Sequence, residues 1–190
     1  MRLETVHVVQ FFDTDDTRHD SVAAFLREGY LSGAALLLIA RPRNSLAILE
    51  RLDKAGIPTR EGMASGRLSV LDASETLERI SRAGSPDAEG FAEVVGALAT
   101  RATRAGRVYA YGEMVDILAQ QGDFADATLL EEFWNRLLRR APISLMCGYA
   151  AAHFVSTGSQ RALRHVCALH TDVRIEAQDP LAAWLLAQAQ

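Results

Sequence analysis

Between positions 107 and 149 the chain places polar side chains at spacings that a plain apolar core has no use for. Glu113 closes the apolar run RVYAYG, and Glu131 and Asn135 stand one helical turn apart in LLEEFWNRLL. On a helix of about 3.6 residues per turn these two side chains share a face with Leu138, so a carboxylate and an amide point inward beside Trp134. Such a pair either fixes a small ligand by hydrogen bonds or forms a buried polar network. Glu113 is open to two readings as well, a ligand contact or a carboxylate favoured at a helix N-terminus. His7 interrupts an otherwise apolar strand, where a hydrogen-bonded histidine near the strand start is the plain alternative.

Other chemistries fit the residues poorly. His165, Cys167 and His170 form H-x-C-x-x-H, with Cys147 as a conceivable fourth ligand. On a helix, however, 165 and 167 face different ways and only 167 and 170 are neighbours. Cys147 lies in a strand, where a buried thiol is usually inert. No metal and no cofactor is expected. G-x-S-x-G is absent, and neither G-x-G-x-x-G nor G-x-x-x-x-G-K-[ST] follows a strand. Where a phosphate loop would lie, the chain has DTDDTRHD (13–20), and its single lysine is Lys54 on a later helix. Asp13, Asp15 and Asp16 would repel a triphosphate.

The elements that must position these residues follow from composition and period. A chain of 190 residues with 49 % hydrophobic and 23 % charged residues fits one soluble domain with a sizeable core. A net charge of −4 argues against a nucleic-acid footprint. AALLLIA (34–40) is the longest aliphatic run, far short of the ~20 residues of a membrane span, and no signal peptide opens the chain. A cytoplasmic protein with free thiols is expected.

Apolar runs alternate with helical periodicity throughout. Strands are expected at 6–12, 35–40, 67–73, 107–112 and 143–149, with a further extended segment, TDVRIEA, near the end. Helices are expected at 21–33, after Pro42 with Leu46, Leu49 and Leu52 inward, after Ser74 as N-cap, and at about 90–105, 113–121, 125–139 and 159–170. Segments 13–20 and 81–90 read as surface loops, and a short apolar helix follows Pro180. The fold class is α/β, a single three-layer domain with a mostly parallel central sheet flanked by helices. Ligands in such a sheet bind past the carboxyl ends of strands, here past Phe12, Ala40, Asp72, Gly112 and Tyr149.

In order along the chain, H-x-x-x-F-F from His7, L-D-A-x-E-T-L (71–77), YGEMV (111–115), LEEFWNRL (130–137), LMCGY (145–149) and the late C-x-x-H resemble the MEDS sensory domain of methanogen and methylotroph regulators. The resemblance runs from about His7 to Val173. It implies a RecA-like or KaiC-like fold with a degenerate phosphate loop, acting without catalysis as an input module for small organic molecules. The matching polar positions are His7, Glu113, Glu131, Asn135, Cys147, Tyr149 and His170. With the neighbouring aromatic residues, the expected ligand-binding set is His7, Phe12, Glu113, Glu131, Trp134, Asn135, Cys147 and Tyr149. Tyr111 replaces the family's usual phenylalanine, and Ala34-Ala35 replaces a commonly polar segment, so ligand preference is expected to differ.

On this reading residues 1–175 form the sensory domain and 176–190 an apolar docking helix, and the output passes to a separate regulatory protein. Two rivals stand beside it. One is a nucleotide-binding protein with a non-Walker site built from Arg41 or Arg43, with Glu113 activating water or placing Mg²⁺. The other is an interaction module that docks through Trp184 and Leu185 on another chain or in a symmetric homodimer.

Overall fold

The computed structural model describes residues 5–189. Its first strand, β1 (His7–Phe12), is β-branched and aromatic and buried at every position. Helix α1 (Asp15–Leu31) starts earlier than its apolar stripe predicts, so most of the expected acidic loop 13–20 is helical. Thr14 accepts from the Thr17 N–H as N-cap, and Asp15 and Asp16 complement the dipole in the first turn. Strand β2 (Ala35–Ala40) follows, then α2 (Pro42–Lys54) with proline at its first position. Its inward stripe is Ser45, Ile48 and Leu52, while Leu46, expected inward, is 62 % exposed.

Helix α3 (Thr59–Ser65), which the periodicity does not announce, leads into β3 (Leu68–Asp72) and α4 (Ala73–Ile80). Asp72, not Ser74, caps α4 by accepting from the Ser74 and Glu75 N–H groups. The expected loop 81–90 contains a small antiparallel ladder of β4 (Ser81–Arg82) and β5 (Ser85–Pro86). The long helix expected at 90–105 is α5 (Ala88–Phe91), a π-helical turn at Ala92–Gly96, α6 (Ala97–Ala102) and a closing 3-10 turn. Strand β6 (Val108–Gly112), helices α7 (Met114–Gln121) and α8 (Phe124–Leu138), and strand β7 (Ile143–Ala150) come next. Gly122, at φ 84°, turns the chain between the two helices. Helix α9 (Gln160–Ala168), strand β8 (Asp172–Arg174) and helix α10 (Pro180–Ala189) complete the chain.

The central sheet has six strands in the order β3-β2-β6-β7-β1-β8, every pair parallel. Its strands are apolar on both faces because both faces are covered. One core joins Val8, Phe12, Leu36, Leu38, Tyr109, Tyr111 and Met146 to Val22 and Leu26 of α1 and Ile48 and Leu52 of α2. The other joins Val9, Phe11, Leu37, Ile39, Cys147 and Tyr149 to α4, α7, α8 and α9, and also takes in Ala182 and Leu185 of α10. Asp13 accepts from the Leu181 and Ala182 N–H groups and so caps α10 onto the end of β1. Among the described residues no helix is long and apolar enough to cross a membrane.

Candidate functional site

From β2 the chain leaves toward β3 at one edge, and from β6 it leaves toward β7 in the opposite direction. The carboxyl ends of β2 and β6 therefore flank a topological switch point. A closed ion network fills it. The Glu113 N–H donates to Ile39 O at 2.9 Å, which turns its carboxylate toward α2. That carboxylate accepts from Asn44 Nδ2 at 2.7 Å, from the Arg41 N–H at 3.3 Å and from the Arg41 guanidinium. Asp116, in the first turn of α7, accepts from Arg41 at 2.8 Å, Arg18 at 3.4 Å and the Ala150 N–H at 2.6 Å, and lies 3.3 Å from His153 Nε2. Arg18 reaches in from α1 across the Phe12 ring and donates to the Tyr111 hydroxyl.

Burial alone would raise the Asp116 carboxyl; His153, Arg18, the Ala150 N–H and Arg41 hold it well below the usual carboxylate range. Two guanidinium groups thus meet two buried carboxylates. Asp15, Asp16 and Asp20 are turned instead to Arg43 and Arg51. A triphosphate placed at this switch point would face Glu113 and Asp116, with Arg18 and Arg41 already committed to them.

The second constellation lies inside the core between the sheet and α8. His7 at the start of β1, Cys147 and Tyr149 on β7, Glu131 and Asn135 on α8, and His170 between α9 and β8 converge there. Glu131 is wholly buried and accepts from the Tyr149 hydroxyl at 2.8 Å and the Cys147 thiol at 3.1 Å. His7 Nε2 lies 3.3 Å from Glu131 Oε2 and 3.5 Å from Cys147 Sγ, and His170 Nε2 lies 3.4 Å from Glu131 Oε1. The two imidazoles are 4.0 Å apart between centroids.

Both rings are held from behind. Asn135 Nδ2 donates to Leu169 O at 2.9 Å, so its Oδ1 accepts from His7 Nδ1 at 3.0 Å; His170 Nδ1 donates to Val166 O at 2.7 Å. Burial by itself raises the Glu131 carboxyl, and His170 and His7 outweigh it and hold the group well below its ordinary range. Burial, reinforced by Glu131, pushes the Cys147 thiol and the Tyr149 phenol well up. Two imidazoles, a thiol and a carboxylate at these distances are a donor set that could hold a metal ion.

A cleft of about 830 Å³ lies against the outer side of α8. Phe91, Phe133 and Leu137 give it apolar walls, and Arg101, Arg104, Arg136 and Arg140 line it as well. The π-helical turn at Ala92–Gly96 forms one side. Such turns break the regular ladder and occur often at functional sites.

Of the expected ligand-binding set, His7, Glu131, Asn135, Cys147 and Tyr149 come together. Glu113 belongs to the switch-point network. Phe12 points to the other face of the sheet, under Arg18. Trp134 packs in the core edge-on to Phe91, close to Gly112. His165 and Cys167 do not join His170 in the cluster. Arg18, His19, Asn44, Asp116 and His153 escape sequence reasoning. A signal for two of them exists: with α1 begun at Thr14, Arg18 and His19 fall four and three residues before the buried Val22, on its stripe.

Comparison with curated proteins finds no match. The family model described as "MEthanogen/methylotroph, DcmR Sensory domain" matches residues 6–171, a span that holds both constellations and the cleft, and the chain therefore belongs to the MEDS family.

Proposed function

We propose that this chain is the input domain of a cytoplasmic signalling system, binding a small organic ligand without turning it over and reporting it to a separate regulatory protein. Membership of a sensory family is the observation that carries the reading. The cleft beside α8 is the proposed ligand site: apolar walls suit a hydrocarbon portion, and the arginines suit a carboxylate or other anionic end. Helix α8 is the proposed relay, since Phe133 and Leu137 line the cleft while Glu131 and Asn135, on its inner side, bind the cluster at His7. Signalling then requires that the ligand favour one of two placements of α8 over the other. Descent from a RecA-like or KaiC-like phosphate-binding fold belongs to the same reading, supported by the all-parallel order of the six-stranded sheet.

The test is thermal unfolding against short alkyl carboxylates, halogenated and methylated compounds, and small aromatics. One class should raise the midpoint by mass action, and the paired reversal Arg136→Glu with Arg140→Glu should abolish the rise. No rise with any class would overturn the proposal, and an undiminished rise in the reversal variant would take the ligand out of the cleft.

A further inference from the structure

The buried cluster at His7 is satisfied only in part by its own side chains. Both histidines spend Nδ1 protons on oxygen acceptors, Asn135 Oδ1 and Val166 O, which leaves both Nε2 atoms turned on Glu131. Among the described residues His170 Nε2 has no hydrogen-bond partner, although its side chain is 0 % exposed. Two neutral imidazoles would set two nitrogen lone pairs against a carboxylate in a dry site, two protonated ones would set two cations against each other at 4.0 Å, and a single imidazolium paired with Glu131 leaves the other Nε2 with at best a weak thiol contact, 3.5 Å for His7.

A divalent cation would satisfy both Nε2 atoms at once. We propose that His7 Nε2, His170 Nε2, Cys147 Sγ and one carboxylate oxygen of Glu131 form a tetrahedral site for a transition ion of the zinc class. Metal–ligand bonds of about 2.0–2.3 Å place tetrahedral donors about 3.3–3.7 Å apart. Glu131 Oε2, Cys147 Sγ and His7 Nε2 are separated by 3.1, 3.3 and 3.5 Å, close to that range; His170 Nε2 lies 3.4 Å from the other carboxylate oxygen, Oε1, and one donor atom from each of the four residues falls within 4.8 Å of the others, so a small inward shift of His170 closes the site. Two neutral imidazoles, a thiolate, a carboxylate and a divalent ion sum to zero charge, the state a buried site favours.

The surroundings match those of metal-bound histidines. Each ring donates its other N–H to an oxygen that fixes its tautomer, and Tyr149 donates to Glu131. Binding takes the Cys147 proton to solvent as the sulfur–metal bond forms. Since protein supplies all four positions, the ion has no open coordination site and acts as a tie between β1, β7, α8 and the α9–β8 turn. This site stands independently of the ligand proposed for the cleft.

The experiment strips the full chain with a chelator, returns Zn²⁺ or Co²⁺, and measures bound metal, absorption and unfolding midpoint. One equivalent per chain is expected, with a tetrahedral Co²⁺ spectrum, a thiolate-to-cobalt charge-transfer band and a raised midpoint. Cys147→Ser should lose the charge-transfer band and His170→Gln the bound metal. Asn135→Ala should weaken binding by ~10–100-fold through loss of the His7 support. Cys167→Ser and His165→Gln, from the same H-x-C-x-x-H run, should bind as the parent does. Failure of the folded parent chain to retain either metal, or a Co²⁺ spectrum lacking the thiolate band, overturns the proposal even where a variant fails to fold. Loss of metal in the Cys167 and His165 variants with retention in Cys147→Ser overturns it equally.

Discussion

Arg18 and Asp116, 98 positions apart in the chain, meet in a buried ion pair at 3.4 Å that ties α1 to α7 across the ends of β1, β7 and β6. Neither residue declares itself in the sequence, where Arg18 reads as one charge in an acidic surface run. Removing Arg18 leaves Asp116 buried with Arg41 at 2.8 Å and the Ala150 N–H still on it, and the Tyr111 hydroxyl without its donor. Arg18→Ala should therefore cost about 1–3 kcal/mol of stability in urea unfolding. Arg43→Ala, whose guanidinium is exposed beside Asp15, should cost less than about 1 kcal/mol.

Asp116 also gives the fold a defined acid sensitivity. Its folded-state pKa is depressed, so the stability it contributes is complete above the unfolded value near 3.9 and is lost as pH falls below it. Asp116→Asn should be less stable than the parent at pH 7, and the gap should narrow between about pH 4 and pH 2. Chemical unfolding at several pH values measures that gap directly.

Gly148 is required by a close approach, not by its backbone angle. A Cβ there would lie 2.5 Å from the Tyr111 hydroxyl and 3.0 Å from the Phe12 ring, both fully buried. Gly148→Ala should destabilise by about 1–3 kcal/mol. Gly33→Ala is the contrasting case: its Cβ meets nothing within 4 Å, and the cost there is backbone strain at φ 81°.

Asn135 holds His7 from one side and Leu169 O from the other. Asn135→Ala should cost about 1–3 kcal/mol in metal-free protein, because the donor and acceptor it served are left unpaired. Asn135→Asp keeps an acceptor for His7 Nδ1 but turns a carboxylate oxygen on Leu169 O, so at neutral pH it should not restore the parent's stability in the same unfolding assay.

The sheet was legible because its strands are continuous apolar runs, buried on both faces, with helical periodicity between them. Boundaries failed where a single cap or turn residue decides: Thr14 starts α1 ahead of its apolar stripe, and Asp72 preempts Ser74 at α4. The inward pair Glu131 and Asn135 was legible from helical spacing alone. Spacing does not disclose its partners, since His7, Cys147 and His170 reach Glu131 only after β1 pairs with β7 and β8; only the family resemblance named them together. H-x-C-x-x-H misdirects for the same reason: His170 pairs across the sheet with His7, not along its own helix. The cleft beside α8 depends on the π-helical turn, which no spacing in FAEVVGA discloses.

Amide hydrogen exchange with and without the organic compound that most raises the unfolding midpoint tests the central claim most directly. Slower exchange confined to residues 88–102 and 124–138 is the predicted result, placing the ligand between the π-helical turn and α8. Slowing at 41–44 and 113–116, with 88–102 unchanged, would put the ligand at the switch point between β2 and β6 and contradict the account.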